Sequence, residues 1–213
     1  MEEKKTPKAA APADAIGVAS SLTILAPETI QELCPIVIGA SVGSILCDID
    51  CKIGVSKDAV LGRTIATILS VAALYIDIVA HGSMFEYFMQ THIISLVLGL
   101  LIILITGYFA RESEHRGFSH SLMAFGLYGI GIFLFSKPVL LGFIIGFAFH
   151  LLLDVITYRP VQLFYPREKG VSLKICKSKS ALNTVIMIFG YIWLIAVCVL
   201  YYQHFLVLLP KRG

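Results

Sequence analysis

Long apolar runs separated by short polar connections make up most of this chain of 213 residues. A helix needs about 20 apolar residues to cross a bilayer, and lipid cannot satisfy the unpaired edge of a β-strand. The pattern therefore predicts an all-α fold, a polytopic transmembrane helix bundle with about five to seven membrane segments. The predicted segments are Ala15–Ala26, Leu33–Cys47, Ile65–Ala80, Ile93–Ala110, Phe118–Phe135, Val139–Ile156 and Leu182–Leu209. The first two are short, so they fit either two thin crossings or a helical hairpin.

Composition supports a membrane protein with one folded unit. Hydrophobic residues make up 57% of the chain and charged residues 15%, whereas soluble domains carry about 25% charged residues. The polar, Ala- and Pro-rich residues 1–14 are predicted to be a disordered lead, and residues 15–213 a single membrane-embedded helical domain, because no linker separates the apolar runs. A net charge of +3 is too small to indicate direct nucleic-acid binding.

The basic residues predict an orientation for this bundle. With seven crossings, 14 of the 17 Lys and Arg residues fall on one side, mainly in the N-terminal lead and in the connection 157–181. Loops rich in Lys and Arg stay in the cytoplasm. We therefore expect a multi-pass membrane protein whose polar motifs face the cytoplasm and whose surface contacts membrane lipids.

Three short polar strings stand where apolar runs end on this predicted cytoplasmic side. They are Asp48-Ile-Asp50, the string His115-Arg-Gly-Phe-Ser-His120, and the pair His150 and Asp154, which share a helix face at a spacing of four residues. Ionisable side chains at the edge of a membrane helix are costly without partners, so they are functional candidates by default.

Imidazoles and carboxylates together are the ligands that zinc and manganese accept in proteins. The predicted ligands of a divalent metal ion, zinc or manganese, are Asp48, Asp50, His115, His120, His150 and Asp154. Each string alone has a structural alternative: a satisfied polar pair, a helix cap, or a basic loop at lipid headgroups. Their shared depth favours metal binding. The other histidines, His81, His92 and His204, are predicted to be solvated or interfacial.

Neighbouring residues supply candidate catalytic groups. Arg116 could stabilise phosphate charge, with a membrane-surface arginine as the alternative, and Arg63 has the same two options. Glu114 is a candidate general base, although its place in a polar loop favours a solvated residue. The segment Pro160–Pro166 follows the third string and could form a lip over the site.

These strings, in this order and followed by Val161-Gln-Leu-Phe-Tyr-Pro166, resemble the YdjM-like family over about Ile36 to Leu182. The family consists of bacterial inner-membrane proteins regarded as metal-dependent hydrolases, some of them LexA-binding. The resemblance implies a metal-activated water acting on a phosphoester, with a phospholipid as one candidate substrate. The chain departs from the family pattern at its beginning, where Pro12 and Ala13 replace a Thr-His pair, and at Cys51, where His is common.

Two other functions remain open from the sequence. A transporter or ion pathway could also use intramembrane His and Asp residues, but the outer halves of the predicted helices are nearly all apolar. A non-catalytic scaffold could hold a cytosolic regulator through its basic connection 157–181, and the missing Thr-His pair favours this alternative over an active enzyme.

Overall fold

The fold is known from a computed structural model, which describes residues 13–50, 57–114, 116–177 and 180–208, without the side chains of 57–59 and 204–208. Eight α-helices lie in these ranges: α1 Ala13–Leu25, α2 Ile30–Leu46, α3 Lys57–Val79, α4 Ser83–Gln90, α5 Ile93–Glu112, α6 Leu122–Phe135, α7 Leu140–Ile156 and α8 Ala181–Leu208. One-turn 3-10 helices occur at Cys47–Asp50, Phe118–His120 and Lys137–Val139. The predicted all-α membrane bundle is confirmed: five helices are long and apolar enough to span, and α1 and α6 are shorter apolar helices.

The helix boundaries differ from the predicted ones at two places near the polar strings. Helix α1 begins at Ala13, so it includes Asp14, which the sequence pattern assigned to the polar lead. Helix α6 begins at Leu122 rather than Phe118, because Ser121 caps it by accepting a hydrogen bond from the backbone of Ala124 at 3.1 Å. His120 therefore lies in a separate turn before α6.

Helix α4 lies in a connection that the sequence predicted only as an outer loop. Its eight residues are too few for a membrane segment, which is why the length criterion missed it. The buried carboxylate of Asp77, at the end of α3, accepts hydrogen bonds from the backbone amides of Met84 at 3.4 Å and Phe85 at 3.0 Å. Asp77 thereby caps α4 and is satisfied within the fold.

Glycines bring α2 and α7 into backbone contact. Gly39 and Gly43 on α2 face α7, and Gly142 and Gly146 on α7 face α2. A Cβ atom at Gly43 would lie 2.5 Å from the carbonyl oxygen of Phe143, so only glycine permits this separation. Small residues spaced by four allow close packing of membrane helices. The two helices consequently end at the same level, where their polar residues meet.

Helix α1 packs against both α2 and α7. Gly17 lies against Gly146, whose Cα atom would be 3.3 Å from an added Cβ. Helix α8 packs on the other face of α1, where the Tyr201 hydroxyl donates a hydrogen bond to the Leu22 carbonyl at 3.0 Å. Large apolar side chains on α3, α5 and α8 remain exposed on the outside, as a lipid-facing surface requires.

Candidate metal centre

Four side chains from three separate strings converge at the ends of α2 and α7. They are Asp48 from the turn after α2, His120 from the turn before α6, and His150 and Asp154 from α7; we call them the metal-site cluster. The Asp48 side chain is 11% exposed and the other three are exposed by 2% or less. Ligand atoms of Asp48, His120 and His150 all lie within 4.8 Å of one another, so this group could hold a metal ion.

The separations within the cluster fit a small cation. Asp48 Oδ1 lies 3.6 Å from the Nε2 atoms of both His120 and His150. Asp154 Oδ2 lies 3.0 Å from His120 Nε2 and 3.7 Å from His150 Nε2. A tetrahedral zinc site with bonds of about 2.0–2.1 Å separates its ligand atoms by about 3.4 Å. The four measured distances bracket that value, and the mixture of nitrogen and oxygen donors suits a divalent ion.

Asp50 does not join its neighbour Asp48 in the cluster. Its Oδ2 atom accepts hydrogen bonds from the Ser119 hydroxyl at 2.8 Å and from the Arg116 backbone amide at 3.1 Å. The Ser119 oxygen lies 2.8 Å from His120 Nδ1. Because the single Ser119 proton goes to Asp50, the serine oxygen accepts the Nδ1 proton of His120, and Nε2 keeps its lone pair for a ligand.

An arginine holds the outer oxygen of each cluster carboxylate. Arg116 Nη2 lies 2.8 Å from Asp154 Oδ1, opposite the oxygen that faces the histidines. Arg63 Nη2 lies 3.6 Å from Asp48 Oδ2 and donates a hydrogen bond to the Asp48 carbonyl at 3.0 Å. Each carboxylate therefore presents one fixed oxygen to both imidazoles.

The environment of Arg116 differs from the phosphate-binding environment that the sequence suggested. The residue is 5% exposed, and its Nη1 atom donates to Thr157 Oγ1 at 2.8 Å and to the Arg159 carbonyl at 3.0 Å. Its backbone has a φ of 67°, an unfavourable region for arginine, which the bond from its amide to Asp50 helps to hold. Arg116 is built into the fold as a support for Asp154.

The segment Pro160–Pro166 contacts the His115–His120 string, as expected for a lip. The Gln162 amide donates to the Arg116 carbonyl at 3.1 Å, and the Leu122 amide donates to the Leu163 carbonyl at 2.9 Å. Val161 of this segment is fully buried. The lip therefore fixes the backbone on both sides of His120.

Burial and the carboxylates act in opposite directions on His120. Burial lowers the pKa of the imidazole, but hydrogen bonds and charge interactions with Asp154 and Asp48 outweigh it and raise the pKa to about 10. Without a cation, the cluster therefore favours a proton on His120. A divalent cation would compete with that proton for Nε2.

The remaining predicted residues fall outside this cluster. Glu114 is exposed, so its carboxylate lies at the surface and not among the buried side chains. His81 and His92 are exposed, as expected. His115 and Cys51 lie outside the described residues, as does the side chain of His204.

Sequence reasoning missed Asp14, which lies in the first turn of α1 and interacts electrostatically with His150, Asp48 and Arg63. The available signal was an acid three residues before Gly17, directly ahead of an apolar run. It was overlooked because the residues before it are polar and rich in Ala and Pro.

Comparison with protein families gives one match that covers nearly the whole chain. Residues 14–210 match the YdjM inner membrane protein family. The chain belongs to the YdjM family. Comparison with curated proteins and with solved structures gave no match. The YdjM match includes every residue of the metal-site cluster, and it begins at Asp14. The apolar helices indicate a membrane protein, in agreement with a family described as inner membrane proteins.

Proposed function

We propose that the chain is a metal-dependent hydrolase that cleaves a phosphoester at the cytoplasmic face of the inner membrane. The observation that carries this proposal is the buried Asp48, His120 and His150 group, whose ligand atoms lie within 4.8 Å of one another. Buried carboxylates and imidazoles at the end of membrane helices are expensive. Holding a reactive cation would explain why this chain gathers them there.

Asp154 serves as the fourth ligand in this proposal, because its Oδ2 atom lies 3.0 Å and 3.7 Å from the two histidine nitrogens. Zinc or manganese fits the donor set. The bound ion would lower the pKa of a water molecule and polarise the phosphoryl oxygen. Asp50 and Ser119 orient the His120 ring, and Arg116 holds the Asp154 carboxylate in place.

Arg63 is the better candidate for binding substrate phosphate. Its side chain is 24% exposed, and that of Asp48 beside it is 11% exposed, whereas the rest of the cluster is enclosed. Substrate therefore approaches from the side of Asp48 and Arg63. A guanidinium at this entrance can pair with a phosphate while it still contacts the Asp48 carbonyl.

The lipid surroundings favour a phospholipid among phosphoester substrates. An apolar groove of about 580 Å³ runs between α5 and α6, and its walls include Phe109, Leu127 and Phe118. Glu112 and Tyr165 also line the groove. Phe118 stands two residues before His120, so an acyl chain in the groove would lie near the metal-site cluster.

Elemental analysis of purified protein tests the proposal most directly. We expect about one equivalent of zinc or manganese in the wild-type protein and its loss in His150→Ala, because that change removes a ligand. His92→Ala is the matched control, since His92 is exposed and distant from the cluster. Hydrolysis of phospholipid and of a soluble phosphodiester, with and without a chelator, then tests the reaction. Equal metal content in all three proteins would refute the proposal.

A scaffold for a cytosolic regulator is the second candidate. The observation in its favour is that the segment after α7 exposes a row of basic side chains, namely Arg159, Arg167, Lys169, Lys174 and Lys177. A scaffold would need no metal-dependent activity. Capture of the regulator by the wild type, and its loss when these residues are changed to Ser, would support this function over hydrolysis.

A further inference from the structure

Asp14 is an acidic side chain close to the metal-site cluster that none of the three polar strings contains. It lies in the first turn of α1, and a short connection then leads into α2. Helix α1 therefore runs antiparallel to α2, and its first turn is at the same end of the bundle as Asp48. An acid in the first turn of a helix also interacts favourably with the helix dipole. Asp14 thus has two candidate roles, the local interaction with the dipole of α1 and a role in the metal-site cluster.

The helix register directs Asp14 towards the cluster. Gly17 of α1 meets Ser44 of α2 and Gly146 of α7 at one crossing. From this crossing, one turn back along α1 leads to Asp14, and one turn forward along α7 leads to His150. One turn forward along α2 leads likewise to Asp48, so all three steps go to the same end of the bundle. The close contact at Gly17 thus fixes the depth of Asp14 to that of the metal-site cluster.

The charges around Asp14 are those of the cluster. Its carboxylate is attracted to His150 and Arg63 and repelled by Asp48. Among the residues that the structure describes, none forms a hydrogen bond or an ion pair with it. A partly buried carboxylate beside another carboxylate, without a bonded partner, is unfavourable unless a cation is close by.

His150 supplies a second, independent observation. The side chain is 1% exposed, and neither ring nitrogen forms a hydrogen bond within the described part of the chain. A metal-bound histidine normally uses both nitrogens, one on the ion and one on an acceptor. His120 has this arrangement through Ser119, whereas His150 has only carboxylates at longer distances, at 3.6 and 3.7 Å. The His150 side of the cluster is therefore where a cation and a further carboxylate are needed.

The formal charges of these residues also indicate a divalent cation. With Asp14 included and both imidazoles neutral, the described carboxylates exceed the described guanidiniums by two negative charges. One divalent cation would cancel this excess. The groups counted are the carboxylates of Asp14, Asp48, Asp50 and Asp154 and the guanidiniums of Arg63 and Arg116.

We propose that Asp14 is an additional acidic residue of the metal centre, whose negative charge stabilises the divalent cation beside Asp48 and His150. This inference rests on the proposed metal-dependent function and adds α1 to the elements that build the site. The first helix is then part of the functional centre as well as of the bundle.

Manganese binding to the full-length protein in detergent tests this role without any assay of activity. Metal-free protein is titrated with Mn²⁺, and the electron paramagnetic resonance signal of free Mn²⁺ gives the dissociation constant. We expect Asp14→Asn to weaken binding about 10- to 100-fold, the usual effect of losing a supporting ligand. Asp14→Ser is a second uncharged variant, chosen because Ser is well tolerated at the beginning of a helix.

Glu168→Gln is the matched control, because it removes one negative charge from an exposed residue in the connection after α7, at the same end of the bundle. We expect its dissociation constant to stay within about twofold of the wild type, since exposed charges are screened. Wild-type-like Mn²⁺ binding by Asp14→Asn or Asp14→Ser, with binding lost in His150→Ala, would overturn the role of Asp14 alone. Failure of the wild type to bind either Mn²⁺ or Zn²⁺ would overturn the metal centre itself and this inference with it.

Discussion

Replacing Gly146 by Ala should weaken both the fold and the metal site. Gly146 lies on α7 where it touches α2, and a Cβ atom there would fall 2.8 Å from the Cα atom of Ala40 and closer still to its carbonyl oxygen. The obstacle is backbone, which cannot rotate away as a side chain could. Helices α2 and α7 would have to separate.

The cost can be estimated from this overlap. Adding a methyl group to a closely packed contact costs about 1–3 kcal/mol, and about 1 kcal/mol lowers the melting temperature of a chain of this size by about 2–4 °C. We therefore expect a melting temperature about 2–12 °C lower. His150 follows Gly146 by one turn, and its Nε2 atom lies 3.6 Å from Asp48 on the other helix. A displacement of about 1 Å can cost about 100-fold in a preorganised site, so we expect metal affinity to fall at least tenfold.

Gly126→Ala provides the comparison, because nothing lies within 4 Å of a Cβ atom at that position on α6. The same chemical change should there be neutral or stabilising by up to about 1 kcal/mol, since Ala favours helix more than Gly. Thermal unfolding in detergent and Mn²⁺ titration of both variants measure the two effects. If Gly146→Ala and Gly126→Ala give the same melting temperature and the same dissociation constant, close packing of α2 on α7 does not position the ligands.

Three further predictions concern single interactions. Ser119→Ala should weaken Mn²⁺ binding about 10- to 100-fold, because the His120 ring loses its orienting contact. The control, Ser121→Ala, should cost about 1 kcal/mol in unfolding free energy through the lost helix cap and leave Mn²⁺ affinity unchanged. Equal Mn²⁺ affinities in the two variants would contradict the orienting role of Ser119. In metal-free protein, the raised pKa of His120 contributes stability that is fully present below about pH 6.5 and declines as the pH rises towards about 10, so the melting temperature should fall over that range in wild type and less in His120→Gln. Asp77→Asn should lower the free energy of unfolding by about 1 kcal/mol by weakening the α4 cap, and a loss of metal from this variant would show that the two ends of the bundle are coupled.

The membrane segments could be predicted because length and hydropathy decide them. All seven apolar runs form helices; most boundaries shift by a few residues, whereas α3 begins at Lys57, eight residues before the predicted start. The additional helix, α4, depends on a tertiary cap from Asp77, so no local sequence pattern predicted it. The glycine pairs on α2 and α7 were visible in the sequence, and their spacing of four would have predicted the contact that carries the site.

The convergence of the polar strings could also be predicted, because each string ends an apolar run on the same side. The separate roles within the strings could not. Asp48 and Asp50 look equivalent in the sequence, yet one faces the histidines and the other supports Ser119. Arg116 was predicted either to bind substrate phosphate or to lie at the membrane surface, and its guanidinium lies against Asp154. Such assignments depend on side-chain direction after packing, which the spacing of residues in a loop does not determine.

The arrangement of the carboxylates is the one that a divalent cation site would need. If the cluster only balanced its own charges, the two arginines would suffice for Asp48 and Asp154, and apolar residues in place of the histidines would avoid the cost of burial. Instead each arginine takes the outer oxygen, and the inner oxygens face two imidazole Nε2 atoms at 3.0–3.7 Å. The ring of His120 is further oriented from behind by Ser119 and Asp50. Four donor atoms that face one point suit a divalent cation, which would replace the proton that the carboxylates otherwise favour on His120.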